Sequence, residues 1–124
     1  MATSDQQIDV VLDLFNHLIQ DRRVLTNRHD NQISEYKARL TLTDGSLLEF
    51  SEINVLGIQK RKYAFQWMTA SFDLLMRWDN ALHHRHISTF PHHKHVGDEL
   101  TIEPSEEMFL EDVLALIDNQ LLRQ

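Results

Sequence analysis

The chain contains no cysteine. That excludes disulfides, thiolate zinc fingers, iron–sulfur clusters and cysteine nucleophiles. It has only three glycines, and neither common Gly-rich phosphate loop occurs. No apolar run approaches the roughly 20 residues that a membrane-spanning helix needs. Met1-Ala2-Thr3-Ser4-Asp5 offers no basic n-region and no signal-like apolar stretch, so the expected location is the cytoplasm. What is present is ordinary for a globular protein. Over 124 residues, 42% are apolar and 25% charged, which fits one domain over residues 1–124 and excludes a disordered chain.

The net charge of −7 is unevenly placed. Residues 1–21 carry −4, residues 22–59 balance, residues 60–95 carry +4 and residues 96–124 carry −7. Six of the eight histidines fall in the basic segment. A local basic stripe can engage phosphate even on an acidic protein.

Helical spacing of Ile8, Val11, Leu12, Phe15, Leu18 and Ile19 predicts a helix over residues 5–20, with Ser4 as its cap. Val24 to Arg28 reads as a short strand. Tyr36, Ala38, Leu40 and Leu42 alternate with polar residues, the pattern of a half-buried antiparallel strand. Asp44-Gly45 is a turn signal. Matching buried faces favours a register with Leu42 opposite Leu48 and Leu40 opposite Phe50. A second hairpin is predicted over residues 63–78. A two-residue turn at Ala70-Ser71 would pair Tyr63 with Trp78, Phe65 with Met76, Trp67 with Leu74, Ala64 with Arg77 and Lys62 with Asp79. Residues 79–103 read as a long polar loop. Pro104 is expected to open a closing helix over residues 105–121, with Met108, Leu110, Val113, Leu114, Ile117 and Leu121 buried. The predicted fold class is α+β: a four- to five-stranded antiparallel sheet with the N- and C-terminal helices packed on one face. The other face would present Lys37, Arg39, Lys62 and Arg77.

The segment that carries chemistry is Asp79 to His95, DNALHHRHISTFPHHKH. His83-His84-Arg85-His86 recurs nine residues later as His92-His93-Lys94-His95. Three readings compete. The first is acid–base chemistry on RNA without metal, since histidine titrates near neutrality and serves as acid or base. Here His92, His93 and His95 would transfer protons, and Asp79 would orient a histidine or pair with Lys62. Arg77, Lys94, Arg85 and Lys62 would meet phosphate, and Phe90 would stack a base. Trp67 and Trp78 lie on the predicted core face, which favours burial over stacking. The second reading is metal. His84 with His86, or His93 with His95, would point the same way if extended, and such pairs chelate zinc, copper or nickel. Asp79 or Asp98 could complete such a site. No His-Glu-x-x-His helix and no fixed acid spacing accompany them, so no metal or other cofactor is expected. The third is a binding module without catalysis, or a solvated connector. His17 and His29 lie outside the cluster and receive no role.

Arg77-Trp78-Asp79-Asn80-Ala81, then His83-His84, then Thr89-Phe90-Pro91-His92-His93-Lys94-His95 resembles the signature of the TumE family of bacterial toxin–antitoxin proteins. The aromatic strand before it and the acidic closing helix are similar too. The family often has Pro where this chain has Leu82, and a Gly-containing turn where it has Thr69-Ala70-Ser71-Phe72. The resemblance implies a toxin encoded beside a helix-turn-helix antitoxin. Combined with the residue chemistry, it leads to the expectation of a toxin acting on RNA as a metal-independent endoribonuclease. RNA and the antitoxin would be its partners, no membrane would be involved, and a homodimer is compatible with this reading. The alternatives kept open are a non-catalytic nucleic-acid- or protein-binding module and a metal-dependent hydrolase with histidine ligands from residues 83–95.

Overall fold

Alternating burial along three consecutive segments dictates a sheet with one apolar face. The computed structural model describes residues 5–122. Helix α1 (Asp5–Leu14) is followed by a 3₁₀ turn (Asn16–Leu18) and by strands β1 (Ile19–His29), β2 (Ile33–Leu42), β3 (Leu47–Val55), β4 (Lys60–Met68), β5 (Leu74–Asp79), β6 (His93–Val96) and β7 (Ile102–Pro104); helix α2 (Leu110–Leu121) closes the chain. The seven strands form one antiparallel sheet in sequence order. Ile8 and Leu12 of α1, and Leu110, Val113, Leu114 and Ile117 of α2, pack with Leu40, Leu48, Phe50, Phe65, Trp67 and Trp78 in one core. Both tryptophans are therefore core residues, as their strand phase predicts. The α+β class holds, but the sheet has seven strands rather than four or five.

The additional strands have physical explanations. β1 is an edge strand whose side chains are almost all exposed, so its sequence shows no alternation, and Asp21, Arg22 and Arg23 guard the edge with charge. β6 and β7 are only four and three residues long, with one β-branched residue each among His, Lys, Glu and Pro, and they replace part of the predicted loop.

Both helices are shorter than predicted. The apolar spacing of Phe15, Leu18 and Ile19 continues past α1 through the 3₁₀ turn into β1, and burial alone does not distinguish these states. Ser4 lies outside the described residues. Residues 105–109 stay non-helical before α2 because their backbone is already engaged. The Ser105 amide donates to Thr89 Oγ1 at 3.0 Å, the Met108 amide to the Tyr63 hydroxyl at 3.4 Å, and Met108 carbonyl accepts from Arg61 at 2.7 Å. Asp112 then caps the helix by accepting the Phe109 amide at 2.9 Å.

Each predicted hairpin keeps its faces and shifts its register by two residues. In the first, Leu40 faces Leu48 and Ala38 faces Phe50, in place of Leu42 with Leu48 and Leu40 with Phe50. The loop is Thr43-Asp44-Gly45. Gly45 adopts φ +88°, which a side chain resists, and the Leu42 amide meets Ser46 carbonyl at 2.8 Å. In the second, Phe65 faces Trp78, Trp67 faces Met76, Gln66 faces Arg77 and Ala64 faces Asp79. The predicted pairs Tyr63 with Trp78 and Lys62 with Asp79 are not formed, and Lys62 lies opposite Ile53. The turn is not Ala70-Ser71 alone. It spans Thr69 to Asp73, closed by the Thr69 amide on Asp73 carbonyl at 2.9 Å. Phe72 sits at φ +69° within it, the backbone region where glycine is unstrained.

Candidate functional site

Strand period places Arg77 and Asp79 of β5, and His93 and His95 of β6, on the face opposite the helices. Asp79 pairs with His93 and Arg77 with His95 across the two strands. The loop of residues 80–92 folds over these side chains. Asp79 is 4% exposed, His93 2% and His95 5%.

Asp79 is the hub. Its carboxylate accepts from Arg77 Nε at 2.9 Å and from the Ala81 amide at 3.0 Å. His93 Nε2 lies 2.9 Å from Asp79 Oδ1, and His95 Nε2 lies 3.7 Å from Oδ2. Ala64, opposite Asp79, is small enough to leave this polar cluster room. Arg77 is itself held by Gln66, to which Nη1 donates at 2.7 Å. Both histidines are anchored from behind, with Nδ1 of His93 2.9 Å from Pro91 carbonyl and Nδ1 of His95 3.0 Å from Glu99 carbonyl. A carbonyl only accepts, so each Nδ1 carries a proton.

His84 arrives from the loop, half-buried. Its ring centroid lies 4.7 Å from that of His93 and 5.7 Å from that of His95. Burial and the neighbouring imidazoles of His93, His95 and His86 hold it below the ordinary histidine value, against the opposing charge of Asp79. The two halves of the histidine repeat thus meet in space, one giving His84 and the other His93 and His95. Ring nitrogens of these three lie within 4.8 Å of one another.

The geometry separates two of the residues that the sequence groups with this cluster. Lys94 alternates to the opposite side of β6, where its strand neighbours are Trp78 and Glu103. His92 turns to the helix-bearing side, where its Nδ1 meets the Tyr63 hydroxyl at 2.8 Å. Burial holds His92 below the ordinary histidine value and pushes the Tyr63 hydroxyl up to about 12. Asp98 is engaged by the amides of Leu100 at 2.9 Å and Thr101 at 2.8 Å in the β6–β7 turn. The Thr101 hydroxyl first, and then these amide bonds, hold its carboxyl below the usual range. Arg85 and Phe90 are exposed on the loop, the guanidinium 5.8 Å from the ring centre. Lys62 shares the polar face of β4 with Ala64 and Gln66. A shallow groove of about 220 Å³ runs over that face past Leu25, Lys37, Glu49, Ser51, Gln66 and Arg77. Arg77 belongs to both the groove and the cluster.

A second buried polar group escaped sequence reasoning. Arg61, 10% exposed, makes a bidentate pair with Glu52, 5% exposed, at 2.7 Å on each arm. It also donates to Glu107 at 3.1 Å. Its guanidinium carbon lies 4.1 Å from the Tyr63 ring centre and 4.2 Å from that of Phe109. Burial works against its charge, but Glu52 and Glu107 outweigh this and raise its pKa further. The signal was present: Glu52 follows Leu48 and Phe50 in core phase, and Arg61 precedes Tyr63, Phe65 and Trp67 in core phase. Two opposite charges at buried positions of adjacent strands imply a pair.

Fold and site together define a small α+β protein whose helix-free sheet face carries a buried Asp–His–His cluster under a histidine-bearing loop. The family model for toxin TumE matches residues 8–121, and the chain belongs to this toxin family. No curated protein and no solved structure matches it. Among the described residues, no helix is long and apolar enough to cross a membrane.

Proposed function

We propose that the chain is the toxin of a toxin–antitoxin pair, restrained by a cognate helix-turn-helix antitoxin, and that it acts as an endoribonuclease at the Asp79–His93–His95 cluster. The observation that carries this reading is the convergence of His84, His93 and His95 on one carboxylate at the end of a groove lined by Lys37 and Arg77. RNA chemistry needs a fixed cation near phosphate and positioned groups that activate an oxygen. In this reading Arg77 anchors Asp79, Asp79 fixes His93, and His84 stands at the mouth where substrate arrives. Arg85 and Phe90 offer a cation and a ring for an unpaired base.

Induced expression of the wild-type chain is expected to arrest bacterial growth, with RNA fragments appearing before the arrest. Co-expression of the antitoxin encoded beside it should restore growth. His95→Ala should give neither arrest nor fragments. Arrest with intact RNA would remove the nuclease, and undiminished arrest by His95→Ala would remove the site.

A further inference from the structure

We propose that Nε2 of His93, Nε2 of His95 and a ring nitrogen of His84 bind one divalent transition-metal ion of the zinc class. The inference rests on the reading of this cluster as the toxin's functional centre, and it replaces the metal-free expectation drawn from sequence. The first ground is proton accounting. Nδ1 of His93 and of His95 each face a carbonyl, at 2.9 and 3.0 Å, so in the neutral rings Nε2 is a bare lone pair. Those lone pairs face the acceptor oxygens of Asp79, at 2.9 and 3.7 Å. Each Nε2 therefore carries either the ring's second proton, which makes the ring an imidazolium paired with Asp79, or a metal ion that takes the place of that proton. Two carbonyl-anchored imidazoles are also the usual outer-shell arrangement of metal-binding histidines, since the anchored Nδ1–H fixes both tautomer and ring direction.

The second ground is spacing. Donors of a tetrahedral ion with bonds of roughly 2.0–2.1 Å sit about 3.3 Å apart. The three nitrogens already lie within 4.8 Å of one another. His84 rides on the loop, so it can approach the two strand-borne histidines by a loop adjustment. Three imidazoles suit zinc, copper, nickel or ferrous iron better than magnesium or calcium. The Asp79 oxygens lie 2.9 and 3.7 Å from two of these nitrogens, so Asp79 would be a fourth ligand or would hold a water that the ion polarises.

The test is metal content and zinc affinity of the purified full-length chain after dialysis against zinc, compared with His84→Ala and His95→Ala. Wild type should retain one zinc per chain and gain thermal stability from it. Each variant loses a ligand and should bind more weakly by at least the roughly 10–100-fold that loss of an outer-shell partner costs. His84 is half-buried on a loop, so His84→Ala keeps the comparison valid if His95→Ala fails to fold; metal-free melting of both variants checks this. Equal zinc uptake by wild type and His84→Ala would overturn the proposal, since exposed His83 and His86 would then account for the metal. Toxicity lost in His84→Ala with stoichiometric zinc retained would also overturn it while leaving the proposed function standing. Zinc lost with toxicity intact would uphold the metal site and remove it from the toxic reaction.

Discussion

Arg61→Ala should lower folding stability by about 3–5 kcal/mol, and Glu52→Ala by a similar amount. Each change leaves a charge buried against the start of α2 without its bidentate partner. Among the described residues, Glu52 would retain only the side-chain donor Asn54 Nδ2, at 3.3 Å. Arg61→Ala also strips Met108 carbonyl of its donor and empties the space between the Tyr63 and Phe109 rings. Total stability for such a domain is about 5–15 kcal/mol, so either single change removes a large fraction. The midpoint of thermal melting should fall by on the order of 10–20 °C. Replacing both residues together with apolar ones of similar volume should cost far less, because neither buried charge remains. Urea denaturation of the two singles and the double measures this directly. Singles that cost under about 1 kcal/mol would mean that the pair is solvated, like a surface ion pair.

Asp79→Asn should reduce toxicity by about 10–100-fold while the sheet stays folded. The substitution keeps the shape and the acceptor for the Ala81 amide, but it removes the negative charge toward which Arg77, His93 and His95 turn. Loss of a carboxylate that orients imidazoles typically has this magnitude. Growth inhibition across a range of inducer concentrations gives the size of the effect, and melting of the purified variant separates function from folding. Full toxicity in a folded Asp79→Asn protein would dismiss Asp79 as the hub of the site.

Strand faces were legible in the sequence because period two is a local property. Tyr36 to Leu42 and Tyr63 to Trp67 declared their buried sides without reference to anything distant, whereas in β5 Met76 and Trp78 keep the expected face and Leu75, not Leu74, joins them against the core. Registers were not, because they depend on turn geometry. Gly45 and Phe72 both take positive φ, and the longer loop that Phe72 serves moves Asp79 from Lys62 to Ala64. That single shift decides which residues can surround the carboxylate. Exposed β1 was only partly legible, since an edge strand has no buried face to alternate with.

The cluster itself was half legible. His93 and His95 are two apart, and any extended backbone puts them on one side. The same alternation removes Lys94 from them. That His92 turns to Tyr63 depends on the path of the chain into β6, which no spacing reveals. His84 joins through the fold of residues 80–92, a tertiary event that leaves only the repeated histidines as its trace.

RNA cleavage by purified wild type, His84→Ala and His92→Ala, run side by side on total bacterial RNA, tests the assignment of the site most directly. The sequence favours His92 over His84, and the geometry favours the reverse. Wild type and His92→Ala should cut at comparable rates, and His84→Ala should leave the RNA intact. Cleavage that survives in His84→Ala and disappears in a folded His92→Ala would contradict the account.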